Sequence, residues 1–316
     1  SMSSGGTNEP NLDMIRFFAP KWFAAQDRAV TVEDCKALLA KSGFVGGELD
    51  PYTKFNVWGG EDMNPPMYGR VFVSLNEIGI VNTAVAATRA LRLLKEKTCV
   101  TIIPEFINPS FFEIVVIASA TWDPLSTTST EGQIVNKILE SLSDKFGRKR
   151  FANNTYTSEI SAVINGIEPN AVFSNSNDFS LSISGKVSLG PDLNAVKIDF
   201  GNKLRPSNLK TEEFPVGPKW SVDPDVPSGQ LVRLKTLGGV DKHGGQKIVG
   251  YYQRTSNVES ILLGAGTFYP GTGIVQINGG VSTIPFNITC VPSNPFLKMG
   301  EHRVSTVQFD LNLVRV

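Results

Sequence analysis

The sequence predicts an α+β protein, with helices packed on mixed sheets in the first ~180 residues and a β-rich region after them. Apolar residues recur at helical spacing in several early stretches, such as Ile134, Val135, Ile138, Leu139 and Leu142. Beyond about Ser180 that period disappears, and short alternating runs such as Val196/Ile198/Phe200 replace it. Within the first regime the order is strand, helix, strand, strand, helix, helix, strand, which suits helices laid on a sheet face.

The chain of 316 residues opens with Ser1 to Gly6, which reads as a flexible start or a cloning scar. From Asn11 to Ala25, Phe17, Phe18, Pro20, Trp22 and Phe23 crowd together and require a surface, of this protein or of a partner. Thr31 then suits a helix N-cap, with Glu33 and Asp34 at the positive helix start and Gly43 at the C-terminal end. Val32, Cys35, Leu38 and Leu39 fall on one face of that helix. Asn82 can cap a further helix to about Lys95, with Val85, Leu91 and Leu94 inward. Its basic residues Arg89, Arg92, Lys95 and Lys97 read as a solvated face favoured by the helix dipole.

Val100 to Ile103 reads as a strand, Pro104 to Pro109 as a connection, and Phe111 to Ala120 as a longer strand. Ser129 or Thr130 caps the next helix, which stops near Gly147, with Arg148-Lys-Arg150 as its charged exit. Thr155 or Thr157 caps a shorter helix carrying Ile160, Val163 and Ile164 and closed by Asn165-Gly166; Val172 and Phe173 begin an extended segment. Past Ser180, Leu181/Ile183, Val187/Leu189 and Leu231/Leu234 mark short strands, and the proline-rich Lys203 to Gly229 reads as loop or linker. Asn278-Gly279 suits a type I′ hairpin turn within Gly273 to Ile284, and Ile288, Val291 and Val304 to Val316 continue as strands.

The stretch Val57 to Leu75 organises the rest. It ends in a strand where Val71, Val73 and Leu75 alternate with Arg70, Phe72 and Ser74. Phe55 and Val57 alternate on its other side, so Gly59-Gly60 and Pro65-Pro66 punctuate a loop joining two strands. Trp58, Pro65, Pro66 and Tyr68 are stiff or aromatic groups on that loop, and such groups lose little entropy on docking. A solvated turn explains a Gly/Pro/Asp cluster equally well. Gly59-Gly-Glu61-Asp62 also matches the Gly-Gly-acid-acid hairpin of nucleotide cyclases, whose carboxylates hold magnesium.

Composition narrows the choices. Thirty basic residues balance thirty acidic ones, so no charge excess points to nucleic acid or an anionic membrane. No apolar run approaches the ~20 residues of a membrane-spanning helix. Cys35, Cys99 and Cys290 are three and scattered, which argues against a disulfide framework; Cys290, although near His302 in sequence, reads as a buried structural cysteine. No metal-ligand spacing, phosphate loop or Ser/His/Asp arrangement is present, and no cofactor is expected.

The segment Phe17 to Asp34, with Arg28-Ala-Val-Thr-Val-Glu-Asp34, resembles the entry of baseplate J-like proteins of contractile phage tails. Val57-Trp-Gly-Gly-Glu-Asp62 and Pro65-Pro-Met-Tyr-Gly69 are similar to the form found in baseplate wedge proteins of T4-like phages. Phe112 to Val172 resembles the later α+β unit of the family, and Gly266 to Val275 resembles the closing hairpin of the T4-like members. One departure is Cys35, where the family often has an aromatic residue. The resemblance implies an arm over 1–30, a baseplate J-like α+β region over 31–180 divisible near 105, and a β-rich domain over 181–316. The T4-like members are about twice as long, as expected if this chain is a C-terminal half. It also implies a structural virion protein of the tail baseplate, assembled in the host cytoplasm and not an enzyme. Such proteins dimerise and close into a ring around the hub, whose rearrangement starts sheath contraction. Their partners are copies of themselves and other wedge proteins, including the lysozyme-related subunit that leads to the sheath. The alternative is a magnesium-dependent enzyme acting on nucleotides or carbohydrates through Glu61 and Asp62.

Overall fold

The computed structural model describes residues 12–44, 54–63, 65–76, 83–188, 195–217, 229–255, 258–279, 281–282 and 284–316. In chain order the elements are α1 (Leu12–Ala25), α2 (Val32–Leu39), β1 (Phe55–Gly59), β2 (Arg70–Leu75), α3 (Thr83–Lys97), β3 (Ile103–Phe106), β4 (Ser110–Trp122) and α4 (Glu131–Phe146). There follow β5 (Arg150–Phe151), β6 (Thr155–Tyr156), α5 (Thr157–Ile167), β7 (Val172–Ser174), β8 (Ser180–Val187), β9 (Ala195–Asp199), β10 (Lys210–Thr211), β11 (Phe214–Pro215) and β12 (Leu231–Leu237). The chain ends with β13 (Gln246–Thr255), β14 (Val258–Tyr269), β15 (Ile274–Asn278), β16 (Phe286–Cys290), β17 (Phe296–Leu297) and β18 (Arg303–Arg315). It is an α+β fold with a β-rich C-terminal region. Two compact units form, one from 1–110, 149–153 and 300–305, the other from 111–148, 154–299 and 306–316.

The first unit is a three-stranded sheet, order β1-β2-β3, with β1 antiparallel and β3 parallel to β2. Phe55, Val57, Val71, Val73 and Leu75 share one core with Phe18, Cys35, Leu38, Leu39, Ala87, Ala90 and Leu94 of the helices. Thr31 caps α2 as expected: its Oγ1 accepts from Asp34 N at 3.1 Å, and Asp34 Oδ2 accepts from Thr31 N at 2.9 Å. Gly43 follows with φ 85°, the left-handed conformation a glycine takes at a helix end. The alternating residues Asn56, Trp58, Phe72 and Ser74 are buried too. Asn56 Nδ2 donates to the backbone oxygen of Glu301 at 2.9 Å and to its Oε2 at 2.7 Å. The segment 300–305 is held further by Ser110 N donating to His302 O and Ala152 N to Arg303 O, both at 3.1 Å.

Several expectations shift here. The strand expected at Val100 to Ile103 lies instead at β3, and Pro104, expected in a connection, sits inside it. In this parallel edge strand Ile103 N bonds Gly69 O and Ile107 N bonds Val73 O, both at 2.9 Å, so the alternate residue Pro104 has its nitrogen facing away from β2. In α3 the inward stripe is Ala87, Ala90 and Leu94; Val85 is exposed and Leu91 only half-buried. Small alanines at the interface let the helix approach β2 closely. Asn82, expected as its cap, lies outside the described residues. Of the α1 aromatics, Phe18 is buried and stacks on Trp22 at 5.9 Å, while Phe23 is 85 % exposed. This unit supplies a surface for the former pair only.

In the second unit β4 alternates cleanly, burying Phe112, Ile114, Val116, Ala118, Ala120 and Trp122. They share a core with Ile134, Ile138, Leu142 and Phe146 of α4 and Ile160 and Ile164 of α5. Thr130 caps α4 in a box with Gln133, and the helix ends at Gly147. Neither Thr155 nor Thr157 caps α5: the first lies in β6, the second is the first helical residue, and Tyr156 stands at the cap without a side-chain bond. Asn165 and Gly166 do not close that helix either. Both lie inside α5, which runs on to Ile167, and the Asn165 amide serves β7, accepting from Ser174 N at 2.6 Å and donating to Ser174 O at 3.2 Å. In the first unit, Arg150, expected as charged exit, is drawn into β5 by pairing with Ser305.

The sheet of the second unit runs β18-β4-β8-β16-β10-β12-β13-β14-β15-β9, with β7 joined to β4 and β11 to β12. The turn that folds β14 onto β15 is Tyr269 to Gly273, closed by Gly273 N to Tyr269 O at 2.9 Å. That agrees with the closing hairpin expected over Gly266 to Val275. The second hairpin, at Asn278-Gly279, does not form: both edges of β15 are already taken, by β14 and β9, and the next strand, β16, pairs with β8 and β10. The Lys203 to Gly229 stretch is not wholly loop. It contributes β10 and β11, while residues 218–228 lie outside the described residues. In β12 the buried pair is Val232 and Leu234, not Leu231 and Leu234, because a strand turns every second side chain inward.

Candidate interaction site

The β1–β2 connection is built on Gly60. Its carbonyl accepts from Met63 N at 3.2 Å and from Met67 N at 2.7 Å, closing the loop at two points. A side chain there would place its Cβ 1.8 Å from Met67 O, so the closure requires glycine. Gly59 extends β1, residues Gly60–Asp62 make a single tight turn, and Gly69 with φ 75° leads into β2. The expectation that this loop joins two strands is met: Gly59 pairs with Val71 and Trp58 with Phe72.

The six candidate residues divide between two sides of the loop. Trp58 points inward and is 3 % exposed; its ring stacks on Phe72 at 5.9 Å, lies 6.3 Å from the His302 ring, and its Nε1 donates to Met63 Sδ at 3.4 Å. Glu61, Asp62, Pro65, Pro66 and Tyr68 are all exposed, Tyr68 to 80 %, with Met67 beside them at 41 %. The indole therefore anchors the loop from below, and two fixed-φ prolines and a phenol ring are displayed above. An ion pair between Arg70 and Glu105 ties β2 to β3 close to the loop exit.

Among the described residues, no group of three or more His, Cys, Asp or Glu is placed to hold a metal ion. Glu61 folds back over Gly59, its carboxylate oxygens 2.2 Å from where a Cβ would stand. Cys290 lies buried in β16, and burial pushes its thiol up to about 12; Cys35 is likewise pushed up to about 12, by burial first and then by Asp34. Neither is a thiolate near neutral pH. Met63 was not singled out in the sequence, and His302 was noted there only for its nearness to Cys290, not as a neighbour of Trp58. Met63 is one turn away and could have been found; nothing local links Trp58 to His302.

No family model matches this chain, and no curated protein matches it. Among solved structures it is similar to a chain of the anti-feeding prophage baseplate, determined by cryo-EM with six-fold symmetrisation. The identity is 15 %, the TM-score 0.38, and the match covers 56 % of this chain and 39 % of that one. Among the described residues no helix is long and apolar enough to cross a membrane.

Proposed function

We propose that this chain is a structural subunit of a contractile-tail baseplate wedge, working through contact surfaces and needing no metal or cofactor. In this reading it self-associates into a ring around the tail hub, and rearrangement of that ring triggers sheath contraction. It contacts other wedge proteins, including the lysozyme-related subunit that leads to the sheath, and it resides in the virion after assembly in the host cytoplasm. The reading rests on the motifs that resemble baseplate J-like proteins. The observation that carries it is the presence of two of those motifs in one loop closed on Gly60, with Trp58 buried below and Pro65, Pro66 and Tyr68 exposed above. A preorganised display of this kind suits docking, because ordering costs are met before binding.

Wedge assembly with purified partner proteins tests the proposal. Pro66→Ala and Tyr68→Ala are expected to keep the melting temperature of the parent and to lose assembly. Normal assembly by both variants removes this loop from the interface. Magnesium-dependent turnover of a nucleotide panel, abolished by Glu61→Gln with Asp62→Asn, would overturn the structural reading in favour of an enzyme.

A further inference from the structure

The first unit carries a second exposed feature, on α3. Ala84, Val85, Thr88, Arg89 and Arg92 line a groove of about 450 Å³. Val85 is 63 % exposed. Arg89 is fixed at the rim: its Nη2 donates to Ser42 O at 3.0 Å, and its guanidinium lies 5.5 Å from the centre of the Phe44 ring. Arg92 is exposed beside it. The groove thus offers an apolar floor with two cationic groups.

The β1–β2 loop has the complementary character. Glu61 and Asp62 are exposed acids, and neither takes part in an ion pair among the described residues. Beside them stand Pro65, Pro66, Met67 and Tyr68. Because β3 is parallel to β2, the intervening α3 runs back against β2, so its C-terminal end returns to the loop end of the sheet. There Ile103 N bonds Gly69 O at 2.9 Å. At 1.5 Å per residue the groove runs along the helix from Ala84, about 20 Å from Lys97, to Arg92, about 8 Å from it. In this chain Glu61, Asp62, Pro66 and Tyr68 are exposed and none of them lines the groove, which leaves it open to the loop of a neighbour.

The geometry points to a head-to-tail contact between copies of this chain, the acidic aromatic–proline loop of one seating in the basic α3 groove of the next. This deepens the self-association proposed above and rests on it. Two different patches that match generate closed rings or open filaments rather than isolated two-fold pairs. The carboxylates face Arg89 and Arg92, while Pro66 and Tyr68 cover Val85.

Sedimentation of the full chain over a concentration series tests the contact, using charge reversal. Asp62→Arg alone and Arg92→Glu alone are each expected to weaken association roughly tenfold or more, since like charges then meet. The chain carrying both reversals restores opposite charges across the contact and recovers association. Melting temperatures equal to the parent show that the variants remain folded. If the parent associates but both single reversals leave its affinity within about twofold, or the double reversal fails to recover it, the head-to-tail contact is overturned and self-association stands. A parent that stays monomeric to millimolar concentration overturns self-association itself.

Discussion

Trp58 and Tyr68 show how one loop divides its aromatic residues between stability and display. Trp58 is buried against Phe72 with its N–H satisfied by Met63, so Trp58→Ala leaves a cavity and is expected to cost about 3–5 kcal/mol, read as a lower denaturation midpoint. Tyr68 has little packing to lose, and Tyr68→Ala is expected within about 0.5 kcal/mol of the parent in the same experiment. Gly60 is a third case. Gly60→Ala drives a methyl into Met67 O, so the loop must open, and sharply greater protease cleavage between Gly60 and Gly69 is the expected readout. The loop was legible in the sequence from its glycines, prolines and flanking alternation. Which of its rings pointed inward was not, because Trp58 is turned by the pleat of β1 and met by His302 from far along the chain.

At the scale of elements, α4 and α5 are joined through Glu168. Its carboxylate accepts from Ser129 Oγ at 2.7 Å and Lys137 Nζ at 2.8 Å, and from Thr127 Oγ1. These bonds, that to Lys137 first, lower its pKa from the usual 4.5 to about 2. A carboxyl whose folded pKa is depressed adds stability above the unfolded value and loses it as pH falls through the folded one. The contribution is therefore complete above about 4.5 and gone below about 2. A melting-temperature series across that window is expected to fall more steeply for the parent than for Glu168→Gln. The helix starts follow a local logic. Thr130→Ala removes the cap of α4 and is expected to cost about 1 kcal/mol by denaturant melts, whereas Thr155 lies in β6 and caps nothing. Both threonines looked alike in sequence; the pairing of Thr155 with Leu297, distant in the chain, separates them.

For the whole molecule, a chelator is expected to leave the melting temperature unchanged, since the described residues hold no cluster of metal ligands. The α+β class and the β-rich C-terminal region were determined by the sequence alone, because helical period, strand alternation and capping residues act within a turn or two of chain. Thr31 with Asp34, Thr130 with Gln133, and the buried alternation of β4 all have this origin. Only the tertiary structure decided the remainder. Pro104 could enter a strand because β3 lies at a sheet edge, with its nitrogen facing away from β2. Asn278-Gly279 could not make a hairpin because β9 had already taken the free edge of β15. Asn56, polar in a strand of apolar neighbours, could be buried because Glu301 arrives to accept its protons. Each of these outcomes depends on a partner brought from elsewhere in the chain, and a local pattern carries no record of which strand or carboxylate that partner will be.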